Sequence, residues 1–107
     1  MRNIENKIYN VEGKVVRRSR NLRGIRLHIN RNLVKRVEIA ENLDGTGTFK
    51  VLFENGDHYE TEWASYTVLL WSLRNLRGLY GAPLTINGED AGTVEHGNEK
   101  LQSAQSP

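Results

Sequence analysis

Two segments of the chain carry the same five residues, Arg-Asn-Leu-Arg-Gly, at 20–24 and at 74–78. Each segment places two arginines three positions apart, and Arg26 follows the first segment closely. An arginine side chain presents a planar fork of N–H donors that pairs with two oxygens of a phosphate and stacks on nucleobases. The repeated segments therefore predict contacts to phosphate groups, on one ligand or on two.

The positive charges of the chain are concentrated in one region. Nine lysines and arginines lie between residues 14 and 36 with no acid among them, whereas residues 38–62 are rich in acids. The formal net charge is only +2. Such clustering favours an anionic partner such as phosphate or nucleic acid. The alternative is a solvated basic face that acids nearby in space compensate.

Aromatic residues lie near the second arginine pair in the sequence. They are Trp63, Tyr66, Trp71 and Tyr80. An aromatic ring beside an arginine can hold a nucleobase together with its phosphate. Trp71 has a second interpretation, as a core residue on the helix face beside Leu70.

The segment after the second arginine pair, at 84–88, reads Leu-Thr-Ile-Asn-Gly. In an extended strand Thr85 and Asn87 lie on the same side, where a hydroxyl and an amide can contact a ribose or a base edge. The alternative for Asn87 is ordinary hairpin chemistry. The predicted nucleotide-binding residues are Arg20, Arg23, Arg26, Tyr66, Trp71, Arg74, Arg77, Thr85 and Asn87.

The sequence offers little for catalysis. The three histidines show no metal-ligand spacing, and there is no cysteine. One of them, His28, is expected on a helix surface. There is no nucleophile elbow, phosphate loop or dinucleotide fingerprint. We therefore predict a binding protein without catalytic residues, a metal site or a cofactor.

Periodicity and turn residues predict the elements that position these side chains. The predicted elements are a hairpin over 7–18, a helix over 19–31 capped by Ser19, strands over 34–40, 48–54 and 58–62, a helix over 65–77 capped by Ser65, and a hairpin over 83–95. Asn55-Gly56 is expected to form a type I′ turn. Gly78 is expected at the left-handed position that ends the second helix.

These elements predict an α+β architecture. An antiparallel sheet of about four to six strands would carry one long and one shorter helix. Residues 1–95 would form a single domain, and 96–107 would be a flexible or partner-docked tail. The small core predicts a homo-oligomer. The sequence contains no membrane span and no secretory signal, so it predicts a cytoplasmic protein.

Four stretches together carry a family resemblance: the arginine-rich segment 17–26, the hairpin sequence at 51–57, the helix start at 63–66 and the segment 74–88. Over residues 17–95 the chain is similar to small phage-encoded anti-defence proteins, and it resembles the first-described Thoeris anti-defence family. The resemblance implies a non-catalytic, oligomeric sponge in the host cytoplasm. Such a sponge binds a cyclic ADP-ribose-type immune signal, and possibly a cyclic oligonucleotide at a separate site, and keeps it from its effector.

The resemblance also assigns roles to residues. It implies that the arginines of both repeated segments grip phosphates and that Thr85 and Asn87 contact ribose or base. It leaves the base-stacking position open among Tyr66, Trp71 and Tyr80.

Two other classes of function compete with the nucleotide sponge. A single-stranded nucleic-acid binding module would use the basic segment 14–36 to follow a phosphate backbone, although the acid-rich half of the chain counts against it. A protein–protein inhibitor or assembly factor would use a sheet face as its interface and would expose a large apolar patch.

Overall fold

The computed structural model describes residues 6–19 and 22–95. The prediction of a tail at 96–107 lies outside the described residues. The strands are β1 (Asn6–Tyr9), β2 (Val15–Ser19), β3 (Val34–Glu41), β4 (Gly47–Phe53), β5 (His58–Trp63), β6 (Pro83–Ile86) and β7 (Glu89–Thr93). The helices are α1 (Leu22–Arg31) and α2 (Tyr66–Arg74), and a short 3₁₀ turn follows at Arg77–Leu79.

All seven strands form one sheet, in the order β2-β1-β5-β4-β3-β6-β7. Five of the neighbouring pairs are antiparallel, and β3 pairs with β6 in parallel. Two parallel neighbours cannot be joined by a hairpin and need a crossover connection. The hairpin β4–β5, α2 and the 3₁₀ turn lie between β3 and β6 in the sequence and supply that crossover.

The predicted fold class was therefore wrong. The chain is mostly β, with a seven-stranded mixed sheet in place of an antiparallel sheet of four to six strands. There is also no pair of one long and one shorter helix, because α1 has 10 residues and α2 has 9. The helix expected over 65–77 ends early because the chain tightens into the 3₁₀ turn after Arg74.

The turn between β4 and β5 differs from the type I′ prediction. The N–H of Gly56 donates to the carbonyl of Phe53 at 3.1 Å, and the N–H of Phe53 donates to the carbonyl of Asp57 at 2.9 Å. Only Gly56 of the turn residues 54–56 has a positive φ, of 96°. This is the three-residue loop with a left-handed glycine. The type I′ signature, positive φ at both central residues, occurs instead at 87–88, with φ of 52° and 84°.

The core lies on one face of the sheet. Alternate residues of β4 are buried, as expected for a strand with one covered face. Buried side chains from both helices, including Ile25, Ile29, Leu69 and Leu73, join the same cluster as the buried strand residues. The helices are therefore fixed by apolar contacts to a common core.

Two local predictions about helix starts had different outcomes. The predicted cap at Ser65 is confirmed, since its Oγ accepts the N–H of Val68 at 3.3 Å. The predicted cap at Ser19 was wrong, because Ser19 is the last residue of β2 and α1 begins at Leu22. Strand pairing with β1 extends to this serine, since Asn6 lies opposite Ser19.

His28 was predicted on a helix surface, and the structure buries it. Its Nε2 lies 3.1 Å from Oδ2 of Asp57. Its ring meets Phe53 edge to face, with centroids 4.8 Å apart. The turn between β4 and β5 brings these two partners against α1, so His28 ties the helix to the sheet.

The buried phenol of Tyr59 makes the stability of the fold depend on pH in the alkaline range. Its hydroxyl donates to Oδ1 of Asn6 at 2.7 Å in the core. Burial raises the pKa of Tyr59 from 10.0 to about 12. A pKa that is higher in the folded chain leaves stability unchanged below pH 10 and lowers it as the pH rises towards 12, because the unfolded chain ionises first.

We predict that the free energy of unfolding falls by roughly 2–3 kcal/mol between pH 10 and pH 12 on account of this phenol. Urea titrations across this pH range measure the loss. The variant Tyr59→Phe should be less stable at pH 8, because the buried hydrogen bond to Asn6 is lost, but should show a shallower alkaline decline. The control Tyr80→Phe alters an exposed tyrosine and should keep the wild-type decline. An unchanged decline in Tyr59→Phe would contradict the assignment.

Candidate anion-binding site

An open depression of about 430 Å³ lies where α1 meets the segment that follows α2. Among the described residues, its lining consists of Arg26 and Asn30 from α1 and of Arg74, Asn75, Arg77 and Gly78 from the end of α2 and the 3₁₀ turn. Arg26 is far from the second repeated segment in the sequence. The fold thus brings it close to both arginines of that segment.

The wall on α1 follows from helical spacing. Arg26 and Asn30 are four residues apart, so they lie on the same side of the helix. The positions just before them, Ile25 and Ile29, are also four residues apart and are buried in the core. The buried pair holds the helix on the sheet and leaves the polar pair at the edge of the contact.

The opposite wall follows from a run of buried leucines. Leu73, Leu76 and Leu79 are fully buried at a spacing of three residues. The N–H of Leu76 donates to the carbonyl of Leu73 at 3.0 Å, and the N–H of Leu79 donates to that of Leu76 at 3.0 Å. This tighter winding keeps the leucines inward, so the intervening Arg74 and Arg77 are exposed.

Gly78 allows the two walls to come close. It was predicted as a left-handed helix terminus, and that prediction was wrong, because Gly78 lies inside the 3₁₀ turn without a positive φ. A Cβ at this position would overlap Cγ2 of Ile29 and would lie 3.2 Å from Oδ1 of Asn30. The absence of a side chain therefore permits close contact between the turn and α1.

The lining is suited to anions. It offers three guanidinium groups and two side-chain amides, and the described lining residues include no acid. Arginine remains protonated throughout the physiological range and provides five N–H donors in a fixed plane. Such groups can hold phosphate oxygens through short, charge-assisted hydrogen bonds.

Of three further predicted residues, only Arg23 has a described side chain, and it is not among the described lining residues. Arg23 lies on α1, about one turn before Arg26, and is exposed. Arg20 lies outside the described residues. Trp71 belongs to α2, but its side chain lies outside the described part of the structure.

Tyr66 also lies away from the described lining. It begins α2 and is therefore about 12 Å along the helix axis from Arg74. Its ring meets Trp63 edge to face at 5.6 Å. Burial, reinforced by the carboxylate of Glu41, raises the pKa of Tyr66 to about 12.

Thr85 lies within β6, and Asn87 follows directly after this strand. Neither is among the described lining residues. Thr85 faces Glu38 across the parallel pair. The N–H of Asn87 donates to the carbonyl of Ile39 at 2.7 Å, and its Oδ1 accepts the N–H of Glu41 at 2.8 Å. Asn87 therefore extends the β3–β6 pairing into the turn, in line with the hairpin interpretation.

The lining includes three residues outside the predicted set. They are Asn30, Asn75 and Gly78. The repeated segment in the sequence could have identified two of them, because Asn75 and Gly78 belong to it. Asn30 follows Arg26 by four positions on a predicted helix, a spacing that would have identified it.

No protein-family model, curated protein or solved structure matches this chain. Within the described residues, no helix has the length and apolar character needed to cross a membrane.

We predict that Gly78→Ala lowers the free energy of unfolding by about 1–3 kcal/mol, because the new methyl group overpacks the contact with Ile29. Chemical unfolding curves measure the change. The control Arg77→Ala, at the exposed preceding position, should stay within about 0.5 kcal/mol of the wild type. A Gly78→Ala variant as stable as the control would contradict the close-contact role.

Proposed function

We propose that this chain is a non-catalytic binding protein that holds a phosphate-bearing nucleotide in the depression between α1 and the 3₁₀ turn. The observation that carries the proposal is the convergence of Arg26, Arg74 and Arg77 on one depression. Three like charges repel one another, and a bound polyanion relieves that repulsion while pairing with each of them.

The size and chemistry of the depression support a small ligand. Its volume of about 430 Å³ lies within the usual range for small-molecule pockets. Arg74 and Arg77 approach from one wall and Arg26 from the other, so phosphate oxygens can be contacted from two sides. Asn30 and Asn75 add amide donors and acceptors that suit hydroxyl groups or a base edge.

The chemistry of the lining residues favours binding of an anion over its catalytic conversion. Its described side chains are guanidinium groups and amides, which hold and orient an anion. General acid–base catalysis requires a group that exchanges a proton near neutral pH, and neither of these side-chain types does so.

The physiological role is drawn from the resemblance to the Thoeris anti-defence family. The ligand would be a cyclic ADP-ribose-type signal made by an infected cell, and its retention in the cytoplasm would block antiphage signalling. The resemblance also implies a second class of ligand, a cyclic oligonucleotide. Tight, stoichiometric binding without turnover is what this role requires.

We predict micromolar or tighter binding of cyclic ADP-ribose, measured by isothermal titration calorimetry, with the nucleotide recovered intact. Arg26→Gln and Arg77→Gln should each weaken binding by about tenfold or more, the usual loss for one charge-assisted hydrogen bond. The matched control is Arg31→Gln, at the exposed end of α1 and not among the described lining residues. It should bind as the wild type does.

Three outcomes would count against this proposal. Absence of binding to cyclic ADP-ribose, ADP and inorganic diphosphate alike would reject the depression as a phosphate site. Equal losses in Arg31→Gln and Arg26→Gln would show a diffuse charge effect. Affinity for oligonucleotides that rises with strand length and falls steeply with salt would favour the nucleic-acid binding module.

A further inference from the structure

The sheet face opposite the core carries a row of facing residues that crosses all seven strands. Each residue of the row is paired with the next across neighbouring strands. From the β2 edge to the β7 edge, the row consists of Arg18, Lys7, Glu60, Lys50, Glu38, Thr85 and Asp90. Opposite charges alternate in the middle of the row, from Lys7 through Glu60 and Lys50 to Glu38. In the pair Lys50–Glu60, Nζ and Oε1 lie 3.9 Å apart.

The two ends of this row carry opposite charges. The row begins at Arg18 on β2, beside Arg17, and ends at Asp90 on β7, beside Glu89. Within residues 6–19 and 22–95, no strand pairs with the outer side of β2 or of β7. One sheet edge is thus basic, the other is acidic, and both present unpaired backbone groups.

Arg17 gives a second, independent reason to expect an acidic partner at the basic edge, β2. It lies opposite Ile8, on the core side of the sheet. Its Nε is buried and, among the described residues, makes no hydrogen bond. An unsatisfied donor of a charged group is costly, so a carboxylate delivered to this edge would be stabilising.

We propose that β2 of one copy of this chain pairs with β7 of a second copy, so that the sheet continues from one molecule to the next. The strand directions fit, because β2 and β7 run in opposite directions in the sheet and a second copy placed edge to edge pairs them antiparallel. The register that continues the row sets Arg18 opposite the Asp90 of the second copy. The same register sets Arg17 opposite Ala91 and diagonal to Glu89, within reach of a long side chain.

The charges select this pairing over the symmetric alternatives. A β2–β2 contact would bring two basic edges together, and a β7–β7 contact would bring two acidic edges together, so both contacts are electrostatically unfavourable. The selected contact uses different surfaces on the two copies, so it builds a ring or a chain of molecules. Gly92 has a φ of 84° and lies where the pairing of β7 with β6 shifts register, between the pairs Thr85–Asp90 and Pro83–Thr93. The pairing is therefore short, and the association should be weak and dependent on concentration.

Charge reversal tests the proposal by sedimentation velocity at increasing protein concentration. The wild type should form species larger than a dimer, and Arg18→Asp and Asp90→Arg should each weaken association by about tenfold or more. An equimolar mixture of these two variants should associate again, because each contact then joins opposite charges. The control Glu62→Arg, on an exposed position of the interior strand β5, should associate as the wild type does.

Each other outcome overturns the proposal. A wild type that remains monomeric at every concentration excludes it, and so does a mixture that fails to associate. A mixture that stops at dimers indicates a symmetric contact instead. Circular dichroism of each variant confirms that the compared chains are folded.

The register can be tested directly because the chain contains no cysteine. The double variant Arg18→Cys/Asp90→Cys should form a ladder of disulfide-linked multimers on mild oxidation, since directly opposed strand residues meet the distance requirement of a disulfide. The control Glu62→Cys/Asp90→Cys should form no such ladder. Equal ladders from both variants would mean random collision and would overturn the register.

Discussion

The parallel pairing of β3 with β6 is the constraint on which the other features depend. Val37 faces Leu84 and Ile39 faces Ile86 across this pair, all on the core side of the sheet. To place β6 there, the chain leaves the sheet after β5 and returns over the core through α2 and the 3₁₀ turn. That return path carries the second arginine pair to α1, so the strand order determines where the depression forms.

Close packing then sets how the depression is shaped. Leucines at 73, 76 and 79 anchor the returning segment, and Gly78 lets it lie directly against Ile29. The arginines need no partner within the protein to be held near one another, because the backbone beneath them is fixed by apolar contacts. A basic cavity of this kind stores electrostatic repulsion that a bound anion releases. The sheet edges use charge differently, because each edge is complementary to the opposite edge and not to itself.

Much of the local structure could be predicted from the sequence, because it depends on neighbours in the chain. Alternation in β4, the cap at Ser65 and the hairpins over 7–18 and 83–95 belong to this class. The parallel partner of β3 could not be predicted, since it depends on where a long crossover lands. The burial of His28 likewise requires Asp57 and Phe53, which only the folded sheet brings to α1. For the site, arginine chemistry indicated Arg26, Arg74 and Arg77, but spacing alone did not separate them from Tyr66, Thr85 and Asn87.

The two walls of the depression come from segments that lie far apart in the chain, with Arg26 in α1 and Arg77 after α2. An unfolded chain therefore contains no such site, and any ligand held there binds the native state alone. By mass action, occupancy adds a term of RT ln(1 + [L]/Kd) to the free energy of unfolding. A ligand bound there would thus act as a removable cross-link between α1 and the 3₁₀ turn. A chain saturated with such a ligand would resist heat and proteolysis better than the same chain when empty.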